Sequence, residues 1–184
     1  MIARRDFLRF QHGDHLDAGC GTGENALHIA SLGLSVLGVD VAETAVAAAR
    51  QKVHDRGIAA EFATADALAL ERLQRVFDSV LDCGLFHTFD ADERRRYVAS
   101  LSSVTKRDGT LYVLCFSDIG SDIGPHPVGR EDLGAAFNPG SGWNVSAIEQ
   151  ERIHTRFHGE HGAPAWCRRC CSASLTIPTS AAPI

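Results

Sequence analysis

Apolar and polar positions along this 184-residue chain switch between two periods. Short, nearly continuous apolar runs alternate with segments whose apolar residues recur every three or four positions. That is the pattern of buried strands and amphipathic helices. Leu16 and its neighbours in 15–17 close a first strand. Residues 25–32 read as a helix with Ala26, Leu27, Ile29 and Ala30 apolar, and Gly33 stands just past its end, where a left-handed residue is favoured. Residues 35–40 form a second strand, apolar enough to be buried on both faces. An alanine-rich helix follows over 43–55, a third strand over 60–64, and a short helical or turn segment over 67–74. Residues 76–82 read as the fourth strand, 92–105 as a helix exposing Glu93, Arg94 and Arg95, and 110–116 as the fifth strand, entered through an Asp108-Gly109 turn. Residues 117–130 are rich in Gly and Pro and lack a period, so they read as a loop. A helix over 131–137 and late strands over 143–149 and 153–157 complete the series. Alternating β and α units of this length predict an α/β chain with a parallel sheet covered by helices, in one domain without internal repeats.

The densest chemistry lies between the first strand and the first helix, in Asp17-Ala-Gly-Cys-Gly-Thr-Gly-Glu-Asn25. Gly19, Gly21 and Gly23 alternate there, and glycine lets the backbone take positive φ and lie close to a ligand. In a doubly wound sheet this bend opens onto the crevice beyond the carboxyl ends of the strands. A dinucleotide would require G-x-G-x-x-G, but the third glycine position is Glu24, whose charge would repel a pyrophosphate at the helix N-terminus. A ligand carrying a zwitterionic amino acid suits the bend better, with Asp17 as the acid for its ammonium.

Residues 17–23 resemble motif I of class I S-adenosylmethionine-dependent methyltransferases, and the likeness continues in order and spacing over roughly residues 13–149. It implies a Rossmann-like doubly wound fold: a mostly parallel seven-stranded sheet with an antiparallel strand near the C-terminus. It implies S-adenosyl-L-methionine as cofactor, held by Asp17, Gly19, Cys20, Gly21 and Gly23. Asp40 corresponds to the acid that bonds the ribose hydroxyls and Val41 to the residue that packs on adenine. Asp66, with Ala67 beside it, corresponds to the acid that reads the adenine amino group. Residues 77–82 match the fourth-strand motif, and Cys83 borders the methionine portion. Methyl transfer from a sulfonium is an in-line displacement that mainly requires positioning and a dry site. His87, in Cys83-Gly-Leu-Phe-His-Thr-Phe89, is the candidate general base, since imidazole titrates near neutrality. Phe86 is the candidate wall of an apolar acceptor, and His126 a candidate contact for an anionic one. The segment around the fourth strand is similar to small-molecule methyltransferases of the thiopurine, tellurite-resistance and ubiquinone-pathway kind. A small apolar or heteroaromatic acceptor, methylated on oxygen or sulfur, is therefore expected. A catalytically inactive cofactor-binding relative of the same fold is the alternative, with an NAD(P)-dependent oxidoreductase behind it.

Composition narrows the partners. The formal charge is −5, with 18 Lys and Arg against 23 Asp and Glu, so no basic footprint argues for nucleic acid. No apolar run reaches the ~18 residues that span a bilayer, and the first residues lack the apolar core of a signal peptide. The expectation is a cytoplasmic monomer or homodimer. Cys20, Cys83 and Cys115 stand near strand ends as small buried thiols. Cys167, Cys170 and Cys171 cluster, but no second ligand pair follows at zinc-finger spacing, so no metal site is predicted. The family usually carries a helical segment before strand one, where this chain has about a dozen residues. From Ser172 onward Ala, Ser, Thr and Pro dominate. The expectation is a methyltransferase domain over 1–166 with a short cap segment, and a divergent, disordered tail over 167–184.

Overall fold

The computed structural model describes residues 13–119, 126–153 and 163–172. The elements in chain order are β1 (Asp14–Ala18), α1 (Glu24–Ser31), β2 (Ser35–Asp40), α2 (Glu43–Arg56), β3 (Glu61–Thr64), a 3-10 segment (Ala67–Leu73) and β4 (Phe77–Cys83). A 3-10 turn (Phe86–Thr88), α3 (Ala91–Val104), β5 (Thr105–Phe116), α4 (Arg130–Ala136), a 3-10 turn (Pro139–Ser141), β6 (Trp143–Ile153) and β7 (Ala163–Ser172) follow. They build one sheet in the order β3-β2-β1-β4-β5-β7-β6. β1 to β5 pair in parallel, and β7 inserts antiparallel between β5 and β6.

Two apolar layers hold the sheet. Ala26, Leu27 and Ile29 of α1 and Val46 and Ala49 of α2 pack with Leu81, Tyr112 and Leu114. Tyr97, Val98, Leu101 and Val104 of α3 pack with Leu16, Val80, Leu111 and Val113. Alternate residues of each central strand thus face opposite layers, which is why those strands read as continuous apolar runs. α3 starts cleanly because Asp90 accepts the backbone N–H of Asp92 and Glu93 (2.9 Å each) while Glu93 accepts that of Asp90 (3.1 Å). The chain leaves β1 toward β2 and β3, then crosses back to place β4 on the other side of β1. The crevice beyond β1 and β4 is therefore the point where strand order reverses, the usual ligand position of an open α/β sheet.

The α/β Rossmann-like class is the one observed, and two expectations need correction. The boundary expected at residue 167 falls inside β7, because the backbone of residues 163–172 pairs with both β5 and β6. The expected strand over 153–157 is not separate: Ile153 ends β6, and residues 154–157 lie outside the described ones. Residues 173–184 also lie outside them.

Candidate active site

The glycine bend sits at the carboxyl end of β1. Gly19, Gly21 and Gly23 have φ of 72°, 52° and 85°. The amides of Gly19 and Cys20 both donate to the Val39 carbonyl (2.9 Å), which pins the bend to the end of β2. A Cβ on Gly23 would meet Phe62 at 2.6 Å and Ala49 at 2.8 Å, and one on Gly19 would meet Leu85 at 2.8 Å. Nothing lies within 4 Å of that position at Gly21. Two of the glycines thus serve packing, and Gly21 turns a bare backbone toward open space.

Asp40 closes the next strand beside it. One carboxylate oxygen accepts the Gly21 N–H (2.8 Å) and the other the Ala42 N–H (2.9 Å). Val41 is 74% exposed at the rim. The Asp40 carbonyl accepts the Ala65 N–H (3.0 Å), which brings the tip of β3 alongside. There Asp66 is exposed and accepts the Leu68 N–H (2.8 Å), starting the 3-10 segment, with Ala67 next to it. The acids predicted from strands two and three are thereby neighbours on one rim.

Deeper in the crevice the electrostatics change. Asp17 is buried; one oxygen accepts the Ala26 N–H at the start of α1 (3.1 Å), and the other is buried with no hydrogen-bond partner. Burial pushes its pKa up to about 7, and the charges of Asp82 and Asp40 push the same way. Asp82, on the β4 residue paired with Ala18, accepts the N–H groups of Leu85 (2.8 Å) and Phe86 (3.0 Å). Burial raises it to about 7 as well, despite those bonds. Cys83 follows it, its thiol pushed up to about 11 by burial, and Asn25 interacts with that thiol while its own Oδ1 is buried and unpartnered. Burial also raises the Cys20 thiol, so neither cysteine is an activated nucleophile. Unpaired buried acceptors are costly, and a ligand with a cationic N–H group would relieve that cost. Asp82 and Asn25 were not among the residues predicted for the site, since burial and unpaired oxygens emerge only when β1, α1 and β4 come together.

A methyltransferase-domain family profile matches residues 16–109. An uncharacterized methyltransferase of Schizosaccharomyces pombe is 35% identical over 107 residues, covering 58% of this chain and 74% of that protein. The 2-heptyl-1-hydroxyquinolin-4(1H)-one methyltransferase of Mycobacteroides abscessus is 32% identical over 152 residues, 80% of this chain and 66% of that one. Among solved structures, magnesium protoporphyrin IX methyltransferase of Synechocystis PCC 6803 with bound S-adenosylmethionine superposes at a TM-score of 0.71, with 20% identity over 92% of this chain and 74% of that one. This chain belongs to the class I S-adenosylmethionine-dependent methyltransferases. A further structure, concerned with conversion of a disulfide bond into a thioacetal group during echinomycin biosynthesis, is similar at a TM-score of 0.78 and 30% identity, over 92% of this chain and 79% of that one. S-adenosylmethionine is thus the cofactor, and the bare bend at Gly21 with the unpartnered oxygens behind it fits such a group.

On the other side of the methyltransferase crevice two expectations change. Phe86 does not face an open pocket. It is fully buried, with its ring 5.3 Å from that of Phe137 and under the Arg94 guanidinium (5.1 Å). The Asp82 bonds to the Leu85 and Phe86 amides turn that side chain into the core. His87 is poorly suited to act as a base: burial, then the Arg94 charge, lower its pKa to about 4. Its Nδ1 accepts the Phe116 N–H (3.4 Å) and its ring lies 4.3 Å from the Phe116 ring. His126 is exposed, and the Arg94 guanidinium donates to its backbone carbonyl (2.8 Å), tying the end of the 117–130 segment to α3. Among the described residues, no three metal-ligating side chains gather and no helix is long and apolar enough to cross a membrane.

Proposed function

We propose that this methyltransferase transfers the methyl group of S-adenosylmethionine to an oxygen or sulfur of a small apolar or heteroaromatic acceptor that ionises near neutral pH. The cofactor lies over Gly21, with the ribose hydroxyls on Asp40, the adenine between Val41 and the Asp66–Ala67 edge, and the ammonium on Asp17. Gly19, Cys20, Gly23 and Cys83 complete its surroundings. When bound, it supplies an activated sulfonium methyl group, so the protein's share is to orient the partners and exclude water.

The observation that carries the acceptor reading is the state of His87. His87 is buried, its Nδ1 accepts the Phe116 N–H, and burial lowers its pKa to about 4, which makes it a weak base toward an aliphatic alcohol at neutral pH. An acceptor whose own hydroxyl or thiol is acidic needs no such base. Two similar proteins point the same way by their names, one acting on an N-hydroxyquinolone and one concerned with chemistry at a disulfide. The His87 ring, packed 4.3 Å from that of Phe116 at the tip of β5, then backs the acceptor side, and the exposed His126 is its candidate outer contact. The acidic net charge favours a small molecule over nucleic acid, and a cytoplasmic monomer or homodimer suits that role.

The test is a panel of thiols, N-hydroxy heteroaromatics, phenols and aliphatic alcohols, assayed for methylation across pH with S-adenosylmethionine saturating at every pH. Turnover is expected for the acidic members, with a pH profile that follows the acceptor's own pKa. Equal rates on aliphatic alcohols, or a profile fixed by the enzyme whatever the acceptor, would refute the reading.

A further inference from the structure

The outer side of the glycine bend is held by a charged cluster that no part of the cofactor reading uses. Glu24 receives both ends of the Arg56 guanidinium (3.0 Å each) and the Lys52 ammonium (2.9 Å). Lys52 also donates to the carbonyl and the hydroxyl of Thr22 (2.8 Å each). These pairings lower the Glu24 pKa to about 2. Ala49, Lys52 and Arg56 lie three and four residues apart on α2 and so share one helical face. That face meets the C-terminal half of the bend, with Ala49 against Gly23 and the two cations on Thr22 and Glu24. The same helix begins two residues beyond Val41, directly after the Asp40 carboxylate that accepts the Gly21 N–H.

We infer that Lys52 and Arg56 are positioning residues for the cofactor: they clamp Thr22 and Glu24 so that Gly21 keeps its place opposite Asp40. The inference rests on the reading that the cofactor lies over Gly21. Glu24 then has a defined role at the position where a dinucleotide fold needs glycine. Its carboxylate is engaged by α2, and it fixes the shape of the crevice instead of leaving the helix start open to a phosphate. The clamp touches neither the acceptor side nor the transferred methyl group, so it acts on cofactor affinity and not on the chemical step. Their side chains are 24% to 44% exposed, so salt weakens the pairings.

The experiment is calorimetric titration of the whole protein with S-adenosylhomocysteine, which is net neutral, at about 30 mM and about 300 mM salt. It is paired with turnover measured at saturating donor. Wild-type protein is expected to bind more weakly at the higher salt. The Lys52→Ala/Arg56→Ala double variant should bind about three- to tenfold more weakly at low salt, lose the salt dependence, and keep its kcat. Arg56→Lys with Lys52 intact should recover most of the affinity. Should the double variant not fold, the single variants Lys52→Ala and Arg56→Ala give the same reading, each expected to bind more weakly than wild type by less than the double variant. A double variant with wild-type affinity, or one losing kcat and affinity together in step with its melting temperature, would overturn the clamp. Wild-type protein that ignores S-adenosylhomocysteine would instead overturn the placement over Gly21, and the clamp with it.

Discussion

Gly21 and Gly23 stand two positions apart and need glycine for different reasons. Both have positive φ, but only Gly23 is closed in by Phe62 and Ala49. Gly23→Ala should therefore lower the melting temperature markedly, since both left-handed strain and a core clash are introduced. Gly21→Ala carries only the strain, about 1 kcal/mol. On the proposed seating its methyl group enters the space of the cofactor, so its affinity for S-adenosylhomocysteine should fall by more than its stability loss implies. Calorimetry and thermal melts on the two variants separate the cases, and equal ratios of affinity loss to stability loss would contradict this assignment. Asp17 makes a second claim at this scale. Its pKa of about 7 reflects burial without a partner for one oxygen. A ligand ammonium placed there favours the ionised form. Affinity for S-adenosylhomocysteine should thus strengthen from pH 6 to pH 8 by up to about tenfold per pH unit below that pKa, and should level off above it. Asp17→Asn should flatten the profile.

At the scale of elements, the central strands and the acids at their tips were readable because each strand buried on two faces leaves an unbroken apolar run. Asp17, Asp40 and Asp66 then mark successive strand ends in the linear pattern itself. β7 was not readable in that way. Its Cys-Arg-Arg-Cys-Cys stretch breaks apolar alternation, and its pairing is decided by β5 and β6 on either side. The orientation of the turn after β4 was hidden for a similar reason. Asp82 draws in the amides of Leu85 and Phe86, and that local bond network, not the apolar character of Phe86, decides which side chain enters the core. Arg94 extends the network by reaching from α3 to the carbonyls of Phe86 (3.4 Å) and His126 (2.8 Å). It thereby couples the turn after β4 to the end of the 117–130 segment. Arg94→Ala should raise KM for the acceptor severalfold while leaving S-adenosylhomocysteine affinity unchanged. A variant that loses donor and acceptor binding equally would argue against an acceptor role for that segment.

For the whole molecule, the buried ionisable groups make stability depend on pH in an unusual direction. Asp17 and Asp82, with pKa values of about 7 against an ordinary 3.8, bind protons in the folded state that the unfolded chain releases above pH 4. Their contribution is therefore largest below pH 4 and is lost as pH rises through 7. His87, lowered from 6.5 to about 4, acts oppositely: its contribution is lost as pH falls through that range. Two carboxyls outweigh one imidazole, so the melting temperature of the ligand-free protein should be higher near pH 5.5 than near pH 8. Below pH 4 the Glu24 and Asp78 pairings begin to fail and the trend reverses. A melting temperature that climbs steadily from pH 5.5 to pH 8 would rule out two buried, proton-holding aspartates. In the proposed seating of the cofactor, the Asp40 carboxylate that accepts the Gly21 N–H also takes the ribose hydroxyls. The most direct measurement is calorimetric titration of wild-type and Asp40→Ala protein with S-adenosylhomocysteine at matched folding. Loss of a charged hydrogen-bonding partner should weaken binding by about ten- to a hundredfold, while equal affinity in the two proteins would contradict a cofactor seated between Gly21 and Asp40.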